Sequence, residues 1–371
     1  MNIRLLLVVG VCILTAACQN EKNDSKMSAE GKKTEIQFEL PDSLSTTRLS
    51  FVLDLKKAVA EQNWTDFGKK RTEGTLIYFN DDKSEVFFPS QKVLKRLNAY
   101  DTFSDDYVIT SRIDNIPSHM EVMISFDEAD SSQYFFENPV EQYSSVEEVG
   151  KIIQSVESTE MWSTMVVHEM FHHYQYNNEN YLEYAKSKIG VLPFSIRDLI
   201  TICQEDEHFL PMIRKENDYL MQAISEDNNG IRDSLISSYL DARTARIQKY
   251  SEVYPNLEQV ENYYIIQEGS ARYIEYKSMF ILSDYAKKTD PSLVLDDPMF
   301  RSYSEFEDID LNDPAFNYLV YAASSDYHYT LGFNTMRLLD ELKVDYKSQL
   351  LNNPEKGIHE YLEAYINTSS K

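Results

Sequence analysis

The residues from His168 to His172 have the pattern H-E-x-x-H, which can bind a metal ion when it lies on a helix. Positions i and i+4 of a helix face the same side, so His168 and His172 can bind one ion together. Neutral imidazoles suit Zn²⁺, which binds histidine nitrogen at about 2.0–2.1 Å. From the next position Glu169 can reach a water in an open coordination position and accept its proton. The pattern predicts a zinc site; the alternative is a helix with two solvated or core histidines.

A catalytic zinc ion with two histidines takes a third protein ligand. The metzincin pattern would place a histidine six residues after His172, but Asn178 stands there. Glu268 is the favoured ligand because Gly269, Ser270 and Ala271 follow it in a helical stretch, and glycine within a helix costs about 1 kcal/mol relative to alanine. We expect these small residues to let their helix approach the histidine helix closely. Spacing leaves other ligands open, namely Glu179, Glu183, Glu205, Glu207 and His208.

The H-E-x-x-H pattern and the downstream E-G-x-A-x-Y, from Glu268 to Tyr273, together resemble the gluzincins, a clan of zinc metallopeptidases. The resemblance covers residues 144–346 and implies a zincin-like catalytic fold there. It implies that His168, His172 and Glu268 bind zinc, and that Glu169 is the general base in peptide-bond hydrolysis.

Two features depart from the usual pattern of this clan. The segment between the ligands, residues 173–267, is 95 residues long, which implies an inserted helical segment at about 189–254. Gln267 also stands where the large aminopeptidases have asparagine, so we do not expect aminopeptidase specificity.

Members of the clan commonly place a tyrosine or histidine over the cleft, where it donates a hydrogen bond to the oxyanion. In this chain Tyr329 is the first candidate and His328 the second, because both stand near the start of a helix late in the catalytic half. The alternative is that these aromatic residues only pack the start of that helix.

Two other functions compete with a peptidase. One is a lipoprotein whose zinc site is vestigial or structural and which binds a partner; a closed structural site would use four protein ligands. The other is a hydrolase of non-peptide amides in the cell envelope. The sequence does not separate peptide from amide substrates.

The N-terminus predicts export and lipid attachment. Arg4 precedes an apolar run that ends near Leu14, and small residues precede Cys18, as in a bacterial lipobox. We therefore expect residues 1–17 to be a signal peptide and Cys18 to be lipidated, with residues 18–34 as a flexible tether. Gln19 rather than aspartate follows the cysteine, which favours the outer membrane of a bacterial envelope. The alternative is an ordinary secretory signal.

The amino-acid composition limits the classes of partner that the protein can bind. The formal net charge of −25 argues against nucleic acid or an anionic membrane surface. We expect a peptide or protein substrate, with the membrane reached only through the lipid anchor. Of the three cysteines, Cys203 alone would remain unmodified in the mature chain, so no intramolecular disulfide is expected. The sequence leaves the oligomeric state open.

Apolar periodicity predicts an α+β protein. Residues 35–143 should form a small lobe around a mostly antiparallel sheet, with a helix at 49–60 and strands at 76–79, 86–89, 107–113 and 120–126. Residues 144–371 should form a mainly helical catalytic lobe, with helices at 159–176, 215–227, 231–250, 257–279 and 330–342.

Overall fold

The computed structural model describes residues 43–69, 75–79, 83–89, 101–104, 107–111, 120–123, 140–153, 156–288 and 294–369. The predicted signal peptide, Cys18 and the tether lie outside these residues. The chain divides into two compact units. The first comprises Met1–Thr47 and Gly74–Ser145, and the second comprises Arg48–Glu73 and Val146–Lys371.

The first unit contains a six-stranded sheet with the strand order β3-β4-β2-β1-β6-β5. Four neighbouring pairs run antiparallel, whereas β1 and β6 run parallel. The α+β class is therefore confirmed, and the sheet expected to be mostly antiparallel is mixed, with one parallel pair. The strands are β1 (Leu76–Phe79), β2 (Lys83–Phe87), β3 (Asp101–Ser104), β4 (Tyr107–Ser111), β5 (Met120–Met123) and β6 (Val140–Ser144).

The second unit is built from helices. Among the described residues, none of the helices has the length and apolar character needed to cross a bilayer. The helices are α1 (Leu44–Asn63, which begins in the first unit), α2 (Thr65–Lys69), α3 (Val146–Ile152), α4 (Thr159–Tyr176), α5 (Glu179–Tyr184), α6 (Ile196–Glu205), α7 (Phe209–Ser225), α8 (Asn229–Ser251), α9 (Leu257–Ala286), α10 (Asn317–Val320), α11 (Tyr327–Glu341), α12 (Lys347–Leu350) and α13 (His359–Ser369).

Helix α4 begins where its sequence provides a cap. The Ser158 hydroxyl accepts a hydrogen bond from the Met161 backbone N–H at 3.0 Å, which satisfies one of the free donors of the first turn. One side of the helix packs into an aromatic core, where the Phe171 ring lies 4.9 Å from Trp64 and 5.1 Å from Phe67. This packing fixes α4 firmly, and residues 168–172 with it.

Helix α9 is 30 residues long and packs against both α4 and α11. At the crossing with α11 two glycines meet: a Cβ added to Gly269 would lie 2.4 Å from the Cα of Gly332. The expectation that Gly269 faces the histidine helix is therefore wrong, because that glycine faces α11. Ser270 instead reaches α4, where its hydroxyl accepts a hydrogen bond from Gln175 at 2.8 Å.

The segment predicted as a helical insertion, residues 189–254, contains α6, α7 and α8. Arg246 of α8 is completely buried between two carboxylates, donating to Glu216 of α7 at 2.6 Å and to Glu261 of α9 at 2.7 Å. Tyr327, the first residue of α11, also donates to Glu261 at 2.7 Å. This buried network connects four helices.

Candidate metal centre

Helix α4 brings the three functional residues of the H-E-x-x-H pattern together. The ligand atoms of His168, Glu169 and His172 all lie within 4.8 Å of one another. Both imidazoles are buried, and Glu169 is half-buried. This group could hold a metal ion.

Helix α9 adds a second carboxylate to the same place. Glu268 Oε2 lies 3.2 Å from His172 Nε2 and 3.8 Å from His168 Nε2. Glu268 is also well shielded, with 13% of its side chain exposed. The other ligands that sequence left open, Glu179, Glu183, Glu205, Glu207 and His208, are all exposed and take no part in the group.

The outer nitrogen of each imidazole is held by a neighbouring side chain. His168 Nδ1 lies 3.0 Å from Glu275 Oε2, and His172 Nδ1 lies 2.8 Å from Gln175 Oε1. The Gln175 amide nitrogen donates to the backbone carbonyl of Gln267 at 3.0 Å, so its oxygen must face His172. Both Nδ1 atoms therefore carry the hydrogen, and the lone pair of each neutral ring lies on Nε2.

Three electron-pair donors consequently meet with no hydrogen between them: the two Nε2 atoms and Glu268 Oε2. Such an arrangement is repulsive unless a cation lies among them, so the donor set fits a metal ion. When no metal is present, a proton bound to an imidazole can relieve the same repulsion. Burial opposes charge on His172, but Glu268 and Glu169 outweigh it and raise its pKa to about 9. Burial likewise opposes charge on Glu268, and His172 and His168 hold its pKa well below the usual range.

Glu169 has a different environment from Glu268. Burial raises the pKa of Glu169, and the nearby carboxylates of Glu268 and Glu275 raise it further, while the two imidazoles act in the opposite direction. The two carboxylates at the centre therefore differ: Glu268 is held ionised, and Glu169 has the greater affinity for a proton.

The first residues of α11 complete the surroundings. The Tyr329 ring stacks on that of His168 with centroids 6.2 Å apart. Burial and the Glu268 charge raise the pKa of the Tyr329 hydroxyl well above its usual range, so it stays a neutral donor. The His328 ring packs against Tyr329, with centroids 4.8 Å apart, and against Tyr264 and Tyr327, and its Nδ1 has no hydrogen-bond partner among the described residues.

Three residues near this centre were missed by sequence reasoning: Gln175, Glu275 and Arg272, whose Nη1 lies 3.5 Å from Glu275 Oε2. A spacing signal existed for each, because Gln175 stands three positions after His172, and Arg272 and Glu275 stand four and seven positions after Glu268. These are same-face spacings on a helix.

Comparisons of the chain with protein-family models, with curated proteins and with solved structures found no match. The function is therefore inferred from the geometry of the centre itself.

Proposed function

We propose that the protein is a zinc-dependent peptidase, similar in its ligand set to the gluzincins. The observation that carries the proposal is the convergence of His168 Nε2, His172 Nε2 and Glu268 Oε2, with Glu169 beside them. Ligand atoms of a tetrahedral zinc ion lie about 3.3 Å apart. The carboxylate–imidazole distances of 3.2 and 3.8 Å are close to that spacing.

The surroundings support zinc with an open coordination position. Zinc-binding histidines usually donate their second N–H to a carboxylate or carbonyl, as His168 and His172 do here to Glu275 and Gln175. Within the described part of the chain, no cysteine and no third histidine joins the group. Three protein ligands favour a catalytic over a closed structural site.

When bound, the zinc ion supplies Lewis acidity, which polarises a substrate carbonyl and acidifies a water to a pKa of about 7. Glu169 accepts the proton of that water and later returns it to the leaving amine. The Tyr329 hydroxyl donates a hydrogen bond to the substrate oxygen as negative charge develops there. Glu275 and Gln175 hold the two imidazoles in one tautomer and one orientation throughout.

Zinc content and peptide cleavage test this proposal with two variants. Protein from residue 19 onward should hold about one zinc ion, and a chelator should remove it together with the activity. Glu268→Ala should lose zinc affinity, whereas Glu169→Gln should keep the metal and lose turnover. Full zinc and full activity in Glu268→Ala would contradict the ligand assignment. Zinc without cleavage of any library peptide would favour a binding module or a hydrolase of non-peptide amides.

We further propose that the protein is attached to a bacterial envelope membrane through Cys18, which lies outside the described residues. A cell expressing the full chain should incorporate labelled fatty acid into it, and Cys18→Ser should abolish the label. Label that survives this substitution would refute the anchor.

A further inference from the structure

Arg272 stands one helical turn after Glu268 on α9 and lies over two aromatic rings. Its guanidinium carbon lies 4.9 Å from the centre of the Tyr329 ring and 5.0 Å from that of Tyr318. Cation–π attraction to two rings stabilises the guanidinium and restricts its orientation. The side chain is 19% exposed, so solvent screens this arrangement only weakly.

The same guanidinium also contacts Glu275, the residue that holds the imidazole of His168. Arg272 Nη1 lies 3.5 Å from Glu275 Oε2, the oxygen that also accepts from His168 Nδ1 at 3.0 Å. A buried carboxylate with no cation nearby would be unfavourable, and here the arginine provides that cation. Arg272 therefore helps to keep the Glu275 carboxylate directed at His168.

The guanidinium also contacts the candidate oxyanion donor. Its carbon lies over the Tyr329 ring, and that ring stacks on the imidazole of His168 with centroids 6.2 Å apart. One guanidinium thus contacts both the residue that orients a metal ligand and the candidate oxyanion donor. Lysine could supply the charge but not the planar surface, because its ammonium is a compact point charge.

We propose that Arg272 is a positioning residue that holds Glu275 against His168 through its Nη1 atom and holds the Tyr329 ring against His168 through its cation–π contact. The second of these roles rests on the proposed peptidase function, whereas the first concerns metal binding alone. The two roles can therefore be measured separately, in zinc affinity and in turnover.

The test compares Arg272→Met, which removes charge and plane, with Arg272→Lys, which keeps the charge. Arg272→Met should weaken zinc binding by about 10–100-fold, as measured by competition with a chromogenic chelator. Arg272→Lys should lose less than tenfold in zinc affinity but about tenfold or more in kcat with little change in KM. The matched control is Arg337→Lys, because that guanidinium lies 5.3 Å from the Phe333 ring, outside the centre. Arg337→Lys should change neither the zinc affinity nor kcat.

A double variant separates the positioning role from direct contact with substrate. If Arg272 acts through Tyr329, adding Arg272→Lys to Tyr329→Phe should lower kcat little further. A raised KM with unchanged kcat in Arg272→Lys would overturn the proposal, since it would mean that the arginine binds substrate itself. Wild-type zinc affinity in Arg272→Met would also overturn it. Should the wild-type protein cleave no peptide, the peptidase proposal fails, and the zinc titration still decides the role of Arg272 toward His168.

Discussion

The backbones of Gly269 and Gly332 touch where α9 crosses α11. A Cβ on Gly332 would lie 2.3 Å from the Ile265 carbonyl oxygen and 2.6 Å from Gly269 Cα, so neither position has room for a side chain. Glu268 immediately precedes one of these glycines, and Tyr329 lies one turn before the other. The close crossing therefore allows Glu268 and Tyr329 both to lie beside His168 at the candidate metal centre.

Replacing Gly332 by alanine should destabilise the protein. The new methyl group would collide with backbone atoms that cannot move independently of their helix, and such overpacking costs about 1–3 kcal/mol. Urea unfolding should show the loss. The matched control is Gly230→Ala in α8, where the added Cβ would lie 3.4 Å from the Asn228 side chain. That change should leave stability unchanged or raise it by up to about 1 kcal/mol. Equal losses in both variants would contradict the close crossing.

Removing the Tyr329 hydroxyl should slow the proposed reaction while leaving the fold intact. Tyr329→Phe keeps the ring on His168 and Arg272 but removes the donor, so kcat should fall by about 100-fold, which is about 2.7 kcal/mol. Zinc content should stay unchanged. His328→Ala should have a milder effect on kcat, because its ring packs among Tyr329, Tyr264 and Tyr327 and, unlike the Tyr329 ring, does not stack on His168. A larger kinetic loss in His328→Ala than in Tyr329→Phe would move the donor role to the histidine.

His359 should make the stability of the helical unit fall in mild acid. Its imidazole is buried and shares a hydrogen bond with the Tyr239 hydroxyl at 2.6 Å. Burial, with Arg243 and Arg246 nearby, holds the pKa of His359 well below 6.5. Below pH 6.5 the unfolded chain therefore binds a proton that the folded chain does not. The stability that neutral His359 contributes is therefore fully present above about pH 6.5. Below that pH the free energy of unfolding falls by up to about 1.4 kcal/mol per pH unit.

Urea unfolding between pH 7.5 and 5.5 measures this dependence. His359→Gln should flatten the decline, because it removes the titrating group. Tyr239→Phe should retain the decline, since the imidazole stays buried. An unchanged slope in His359→Gln would assign the acid sensitivity to other residues.

Arg246 should be essential for stability because it lies between two buried carboxylates. Arg246→Met leaves Glu216 and Glu261 without their cation, and breaking a buried ion pair in this way costs about 3–5 kcal/mol. Arg243→Met is the comparison, because that arginine pairs at 3.0 Å with Glu258, whose side chain is 53% exposed, and approaches the buried Glu261 only to 3.9 Å. It should lose about 1–2 kcal/mol in urea unfolding, because it also gives up a hydrogen bond to Asn262. Similar losses in the two variants would indicate that packing, rather than charge, is responsible.

Periodicity predicted the helices better than the strands. The predicted helix at 159–176 has the observed bounds of α4, because its apolar pattern begins directly after a capping serine, Ser158. By contrast, β3 and β6 were not predicted. The sequences of these strands, DTFS and VEQYS, contain few apolar residues, so their strand conformation depends on pairing, of β3 with the adjacent β4 and of β6 with the distant β1 and with β5.

The H-E-x-x-H spacing predicted which residues meet on α4, because one helix fixes their separation. It could not predict which neighbouring helix Gly269 faces, since a spacing on α9 does not show where α4 and α11 lie around it. Gln175 and Glu275 could have been found by extending each helical face by one or two turns. The side chains that Arg272 contacts could not, because Tyr318 and Tyr329 come from elements distant in the sequence.

The parallel pairing of β1 with β6 has a consequence for the order of events during translation. β1 is buried along its whole length and lies between β2 and β6. Its pairing with β2 can form early, but its other edge stays unpaired until the ribosome has made Ser144. An unpaired apolar edge is a site for wrong pairing. We therefore expect nascent chains that stop before β6 to be bound by chaperones, and chains that include it to be released.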